Sequence, residues 1–170
     1  MDFQEVVEVL VEEVQVEAGK KPLFRLKNPL YFLTKREKEA IIQTIKEVES
    51  FSLCEIRVHL AKKTKGDIIE EAKKAFYRLG MQNTKERNGV LFYLSIKDRR
   101  FAIIGDKGIN EKVGENFWID TAKKMEKYFK EGFFGEGITI GIKDVGKILK
   151  EFFPHSEDDK NELPDEISSG

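Results

Sequence analysis

Val90-Leu91-Phe92-Tyr93-Leu94, preceded by Asn88-Gly89 and followed by Lys97-Asp98 and then Phe101-Ala102-Ile103-Ile104, is the stretch on which the fold turns. Its apolar residues do not alternate with polar ones, so both faces of this strand must be covered, as in a central strand of a layered α/β domain. The Lys97-Asp98 turn sends the chain back through residues 101–104 as an antiparallel hairpin partner. Upstream, Cys54, Ile56, Val58 and Leu60 alternate with Glu55, Arg57 and His59, which predicts a strand with one dry face and one polar face, His59 half-exposed on the latter. Between the two strands, Gly66-Asp67-Ile68-Ile69-Glu70 opens a helix with Asp67 as N-cap and Glu70 at the third helical position. Ile69, Ala72, Phe76 and Leu79 form its apolar face, and Gly80 stands where such a helix ends. Strand, helix and strand make a βαβ unit with parallel strands, and the hairpin makes the sheet mixed.

Farther out, Thr34-Lys35-Arg36-Glu37 has capping-box spacing, and Leu33, Ile41, Ile42, Ile45 and Val48 give a helix over residues 35–49. Phe117, Trp118, Ala122, Met125 and Phe129 mark another helix. Ile138, Ile142, Val145, Ile148, Leu149 and Phe152 mark a last one after the glycine-rich loop at 132–137. The expected product is a three-layer α/β/α sandwich over residues 33–153. Residues 154–170 follow Pro154 as an acidic tail expected to be disordered. Residues 1–32 read as an N-terminal extension, with Pro29 holding its end extended. Within it, residues 5–17 fit both a helical face (Phe3, Val7, Leu10, Val14) and a strand alternation (Val7, Val9, Val11), and the pattern leaves both open.

A chain of 170 residues suits one such domain with flanking segments, and no apolar run approaches the ~20 residues of a membrane helix. Met1-Asp2-Phe3-Gln4-Glu5 has neither the basic nor the apolar part of a secretory signal, and Cys54 is the only cysteine, so the expected location is cytoplasmic. The net charge of −1 hides a polarity. Residues 1–19 hold six acids and no Lys or Arg, and residues 154–170 hold six acids against Lys160, so the middle carries +10. Such a middle favours anionic partners. Its bases are nonetheless short separate groups (Lys62-Lys63-Thr64-Lys65, Lys73-Lys74, Arg99-Arg100, Lys123-Lys124) without interleaved aromatic residues, which argues against nucleic acid.

No complete catalytic motif occurs. Cys54 is followed by Leu60 where a cysteine phosphatase loop needs an arginine, and it lies on the apolar phase of its strand, as an inert thiol does. His59 and His155 have no Cys or His at metal-ligand spacing. Oxygen chemistry remains. Asp67 follows the first strand and Asp98 the second, and parallel strands of a βαβ unit end on one side of the sheet, where a hard divalent cation finds carboxylate, carbonyl and water oxygens. Asp67 is equally explained as an N-cap and Asp98 as a turn residue. Asp106, between Gly105 and Gly108 and near Asn88-Gly89, is a second candidate at the opposite end, where tight turns also account for the residues.

Three runs then coincide: Asn88-Gly89-Val90-Leu91-Phe92-Tyr93-Leu94, Lys97-Asp98-Arg99-Arg100-Phe101-Ala102-Ile103 and Gly105-Asp106-Lys107-Gly108-Ile109. With Glu55-Ile56-Arg57-Val58, the helix start at Asp67 and Phe133-Phe134-Gly135-Glu136-Gly137, the chain resembles the TPM domain, the phosphatase-like domain of thylakoid and bacterial proteins, over about residues 33–153. It is similar above all to short soluble bacterial members with an acidic tail like residues 161–168. The resemblance implies a Rossmann-like α/β/α sandwich, divalent-cation binding in some members, acid-phosphatase activity in a plant member, and roles in photosystem repair or membrane-protein assembly. Asp98 corresponds to the acid of the family's Asp-Arg turn, and Gly105 and Gly108 to the glycines after its third strand. The functional expectation is a soluble interaction module that binds Ca²⁺ or Mg²⁺, with Asp98, Asp67 and Asp106 as metal ligands and an unidentified protein partner, either soluble or membrane-associated. The alternative is a metal-dependent phosphomonoesterase using a metal-bound water, with Arg99, Arg100 and Lys107 meeting phosphate charge.

Overall fold

The parallel pairing that the βαβ pattern demands is present. β2 (Glu55–Ala61) lies beside β3 (Gly89–Ser95), with Ile56 opposite Val90 and Leu60 opposite Leu94. The computed structural model describes residues 7–11, 28–154 and 166–170. In chain order the remaining elements are β1 (Val7–Val11), α1 (Pro29–Phe32), α2 (Lys35–Phe51), α3 (Ile68–Arg78), β4 (Arg100–Gly105), α4 (Lys107–Val113), α5 (Glu115–Lys130), α6 (Phe134–Phe152) and β5 (Ile167–Ser169). A 3₁₀ turn at Met81–Asn83 follows α3. β4 returns antiparallel to β3, as the Lys97-Asp98 turn predicts, and the sheet order is β1-β4-β3-β2-β5.

Two apolar clusters flank the sheet. Ile56, Val58, Leu60, Val90, Phe92 and Ile103 face α2, α5 and α6 through Ile45, Met125 and Ile142. Leu91, Tyr93, Ala102 and Ile104 face α3 through Ile68, Ala72 and Phe76. This is the expected α/β/α sandwich, and it explains why residues 90–94 are apolar without alternation: each face of β3 has a helix layer. Phe92 is wholly buried, and such a ring contributes about 2–3 kcal/mol by leaving water. On α6, a Cβ at Gly141 would stand 2.5 Å from Met125 Sδ, and one at Gly146 2.6 Å from Val48 Cγ2. Those glycines set how closely α6 lies on α5 and α2.

At α2 the capping box forms as read: Thr34 Oγ1 accepts from Glu37 N at 3.2 Å, and Glu37 Oε2 accepts from Thr34 N at 2.7 Å. Elsewhere the structure departs from the sequence reading. The segment up to residue 32 is not merely an extension. Val7–Val11 is an edge strand, antiparallel to β4 with Val9 opposite Ile103, which decides the open pattern at these residues in favour of strand. The rest of residues 5–17 lies outside the described residues. Pro29 does not hold the chain extended. It opens a one-turn helix capped by the Asn28 side chain, because the first helical position tolerates a missing N–H, and Phe32 enters the core.

The acidic tail is likewise not disordered throughout. Residues 155–165 lie outside the described residues, but Ile167–Ser169 adds a parallel strand to β2 with His59 opposite Ser168. Alternation on β2 therefore does not produce a wet face. Glu55, Arg57 and His59 are all buried; on the side that the pattern marks as polar, Tyr93 stacks on the His59 ring and Ser168 of β5 lies against its Nδ1.

Candidate functional site

The turn after β3 and the loop after β2 meet at one end of the sheet, where the topology brings the carboxyl ends of two parallel strands together. Asp98 ties them. Its Oδ2 accepts from Thr64 N at 2.7 Å, from the β2 side, and from Ser95 Oγ at 2.5 Å, from its own turn. Among the described residues its Oδ1 carries no hydrogen bond or ion pair. Partial burial pushes its carboxyl upward, but the Ser95 and Thr64 donors and the nearby charges of Arg100 and Lys63 outweigh that, so Asp98 titrates below the ordinary carboxylate range. Asp67 follows in the same loop. It caps α3 by accepting from Glu70 N at 3.0 Å on Oδ1 and is exposed. Both carboxylates thus stand at the expected sheet edge, each with one oxygen engaged and one available.

Of the basic candidates, Arg100 begins β4 opposite Ser95, and Arg99 precedes it in the left-handed region at φ 52°. A non-glycine residue there costs on the order of 1 kcal/mol, so the turn holds a conformation few sequences prefer. Lys107 lies beyond the other end of β4, about 17 Å of strand rise away. The fold does not bring it to the arginines.

Asp106 belongs to that far end, and its chemistry is closed. It is wholly buried and takes a two-pronged ion pair from Arg87, Nε to Oδ2 at 2.7 Å and Nη2 to Oδ1 at 2.8 Å. Oδ1 also accepts from Lys107 N at 2.8 Å as the N-cap of α4. Gly108 N donates to Arg87 O, and a Cβ at Gly108 would stand 2.1 Å from Glu86 O. This glycine therefore lets two turns touch instead of cradling an anion. Asn88, buried beside the start of β3, spends its amide group on the Leu53 carbonyl.

Cys54 is buried at the start of β2, and burial together with Glu49 and Glu55 raises its thiol well above the ordinary value, as an inert cysteine requires. His59 is the residue the sequence placed least well. It is 3% exposed, stacks on Tyr93 at 5.4 Å and sits 2.8 Å from Ser168 Oγ through Nδ1. Burial first, and then the Arg78 and Arg57 charges, lower its pKa to about 4, so the ring is neutral at physiological pH. Its only sequence signal was the apolar-hydroxyl alternation of Ile167-Ser168, which invites pairing with an exposed edge. A separate cleft of about 690 Å³ at the starts of α2 and α6 is lined by Arg36, Glu37, Tyr128 and Glu136 and includes none of the candidate acids.

The turn at the end of β3 and the helix that Asp67 caps both lie within a span that matches a known domain. A profile of the TPM domain matches residues 29–148. The chain belongs to the TPM domain family. Within that TPM frame, the BA42 protein of the psychrophilic bacterium Bizionia argentinensis, solved by NMR, superposes with a TM-score of 0.78 at 43% identity over 82% of this chain and 96% of its own. A comparison with curated proteins returns no match. The matched span includes the one-turn helix at Pro29, in agreement with its place in the core. Among the described residues, no three His, Cys, Asp or Glu side chains gather as a preformed metal cage, and no helix is long and apolar enough to cross a membrane.

Proposed function

We propose that this TPM domain is an interaction module whose loops at the carboxyl ends of β2 and β3 take a divalent cation between Asp98 and Asp67. The observation that carries the reading is the state of Asp98: an ionised carboxylate with one oxygen held by two loops and the other available. Two single oxygens fit a cation that keeps most of its waters, as Mg²⁺ does, better than one that needs a full protein cage. The basic neighbours Lys63 and Arg100 weaken the field for a cation, so the expected affinity is modest. Asp106 takes no part, since both of its oxygens answer Arg87.

The test is thermal unfolding of EDTA-stripped protein with Mg²⁺ or Ca²⁺ added. Ligand linkage predicts a rise in Tm for wild type that Asp67→Asn abolishes. Asn caps a helix as well as Asp does, so this variant removes the charge without removing the cap. Equal melting of wild type with and without cation overturns the reading.

A second reading, phosphomonoester hydrolysis by water on the same cation, draws support from Lys63 and Arg100, whose charges reach Asp98 and could meet a phosphate. Neither Cys54 nor a basic histidine supplies a nucleophile or base there: the thiol is buried at the other end of β2, and His59 is covered in mid-strand. Turnover of a model phosphomonoester that Asp98→Asn eliminates would favour this reading. Equal trace rates in both proteins would remove it.

A further inference from the structure

β2 would be an outer strand of the sheet but for the three residues of β5 laid along it. That cover is short and chemically specific. Gly170 N donates to Leu60 O at 3.2 Å, and Lys62 N donates to Gly170 O at 3.1 Å. Ser168 Oγ lies 2.8 Å from His59 Nδ1 and 3.3 Å from Val58 O, while Ile167 packs on the opposite face against the larger core cluster. At Gly170 a Cβ would stand 3.4 Å from His59 Cε1, an ordinary contact distance, so a side chain there would rest on the ring. Upstream the edge is closed differently, by the Glu49 carboxylate accepting from Ile56 N at 2.9 Å. Downstream it runs past the exposed Lys62, Lys63 and Lys65.

A strand edge that native proteins must protect is here protected by one short tethered segment, the arrangement that strand addition by a partner exploits. We infer that residues 58–62 of β2 form a strand-acceptor site for an extended partner peptide, and that the chain's own 167–170 segment occupies the site in competition with it. The peptide pattern is apolar, hydroxyl, two unrestricted residues, and then acidic residues. The first positions copy what Ile167 and Ser168 do, and the acids meet Lys62, Lys63 and Lys65. A second copy of this chain is the weaker occupant. Its 167–170 segment brings the same contacts and no more, whereas the tethered one acts at an effective concentration on the order of millimolar. A partner with acidic residues adds contacts that the chain's own segment does not make. The inference rests on the interaction-module half of the proposed function and not on its cation half.

The test is run in EDTA, so its failure is separable from failure of the cation reading. A fluorescein-labelled peptide of sequence Glu-Ile-Ser-Ser-Gly-Asp-Asp-Asp is titrated into wild type and into Ile167→Asp and Ser168→Pro, each checked by melting. With the competing segment loosened, binding is expected to tighten at least about ten-fold over wild type. A peptide ending in three lysines should bind more weakly, and one with proline in place of its first serine should not bind. Should the variants not fold, millimolar peptide added to wild type must shift the amide resonances of residues 58–62. Folded variants that bind no better than wild type, indifference to the proline, unshifted amides, or a wild-type dimer that excludes the peptide would each overturn the inference.

Discussion

Asp98 and Asp106 stand at opposite ends of the same hairpin, and the fold treats them in opposite ways. Each follows a strand, each sits among turn residues and each has basic neighbours in sequence. Asp106 is wholly buried, its charge consumed by Arg87 and its oxygens by three donors. Asp98 is partly accessible and gives one oxygen to two loops. The difference lies in how each charge is compensated. A buried carboxylate must be paired with a charge, whereas a carboxylate at the solvent edge is satisfied by neutral donors and keeps capacity for a ligand.

Four measurements can break or sharpen this contrast. The largest effect is expected at Asp106→Ala, which removes two charge-assisted bonds from Arg87 and the N-cap of α4 at a fully buried position and should cost about 3 kcal/mol in urea unfolding. A loss under 1 kcal/mol would mean that the pair is no staple. Next comes the middle of β2. Between pH 6.5 and 4 the unfolded chain binds a proton at His59 that the folded protein refuses, so stability falls as pH drops through that window. Discounted for solvent screening, the loss is about 2 kcal/mol, and His59→Phe should remove that part of the pH slope. Asp98→Asn gives up charge-assisted bonds from Ser95 and Thr64 for about 1–2 kcal/mol. The lowered pKa of Asp98 adds a sign: its contribution is present above the ordinary carboxylate pKa and fades as pH falls below it, so the deficit of Asp98→Asn should shrink in acid. The smallest effect is at Asp67→Asn, within about 0.5 kcal/mol in the absence of cation, since the cap on Glu70 N survives. Larger losses there would tie Asp67 to the fold and away from a ligand.

Local signals were legible because short-range geometry creates them. The Thr34-Glu37 capping box, the Asp67 cap and the two-faced apolar run of β3 each act within a few residues, and each formed as read. The candidate acids were legible in position but not in state, because their partners are distant in sequence: Arg87 is 19 residues from Asp106, and Thr64 is 34 residues from Asp98. His59 was misread for the same reason on a larger scale. Its cover, Ser168, is 109 residues away, and alternation on a strand reports which side is polar without reporting what will lie over it.

By itself, then, the sequence determined the βαβ-hairpin order, the four longer helices α2, α3, α5 and α6, the N-caps of α2 and α3, and the sheet end at which Asp67 and Asp98 stand. Periodicity, capping and the parallel crossover are local or topological rules. Only the tertiary structure decided that Val7–Val11 is a strand, that Pro29 starts a helix, that Asp106 is spent on Arg87 and that β5 closes the β2 edge. An edge strand gains its hydrogen bonds, and a buried charge its compensation, from segments that meet only when the chain has folded.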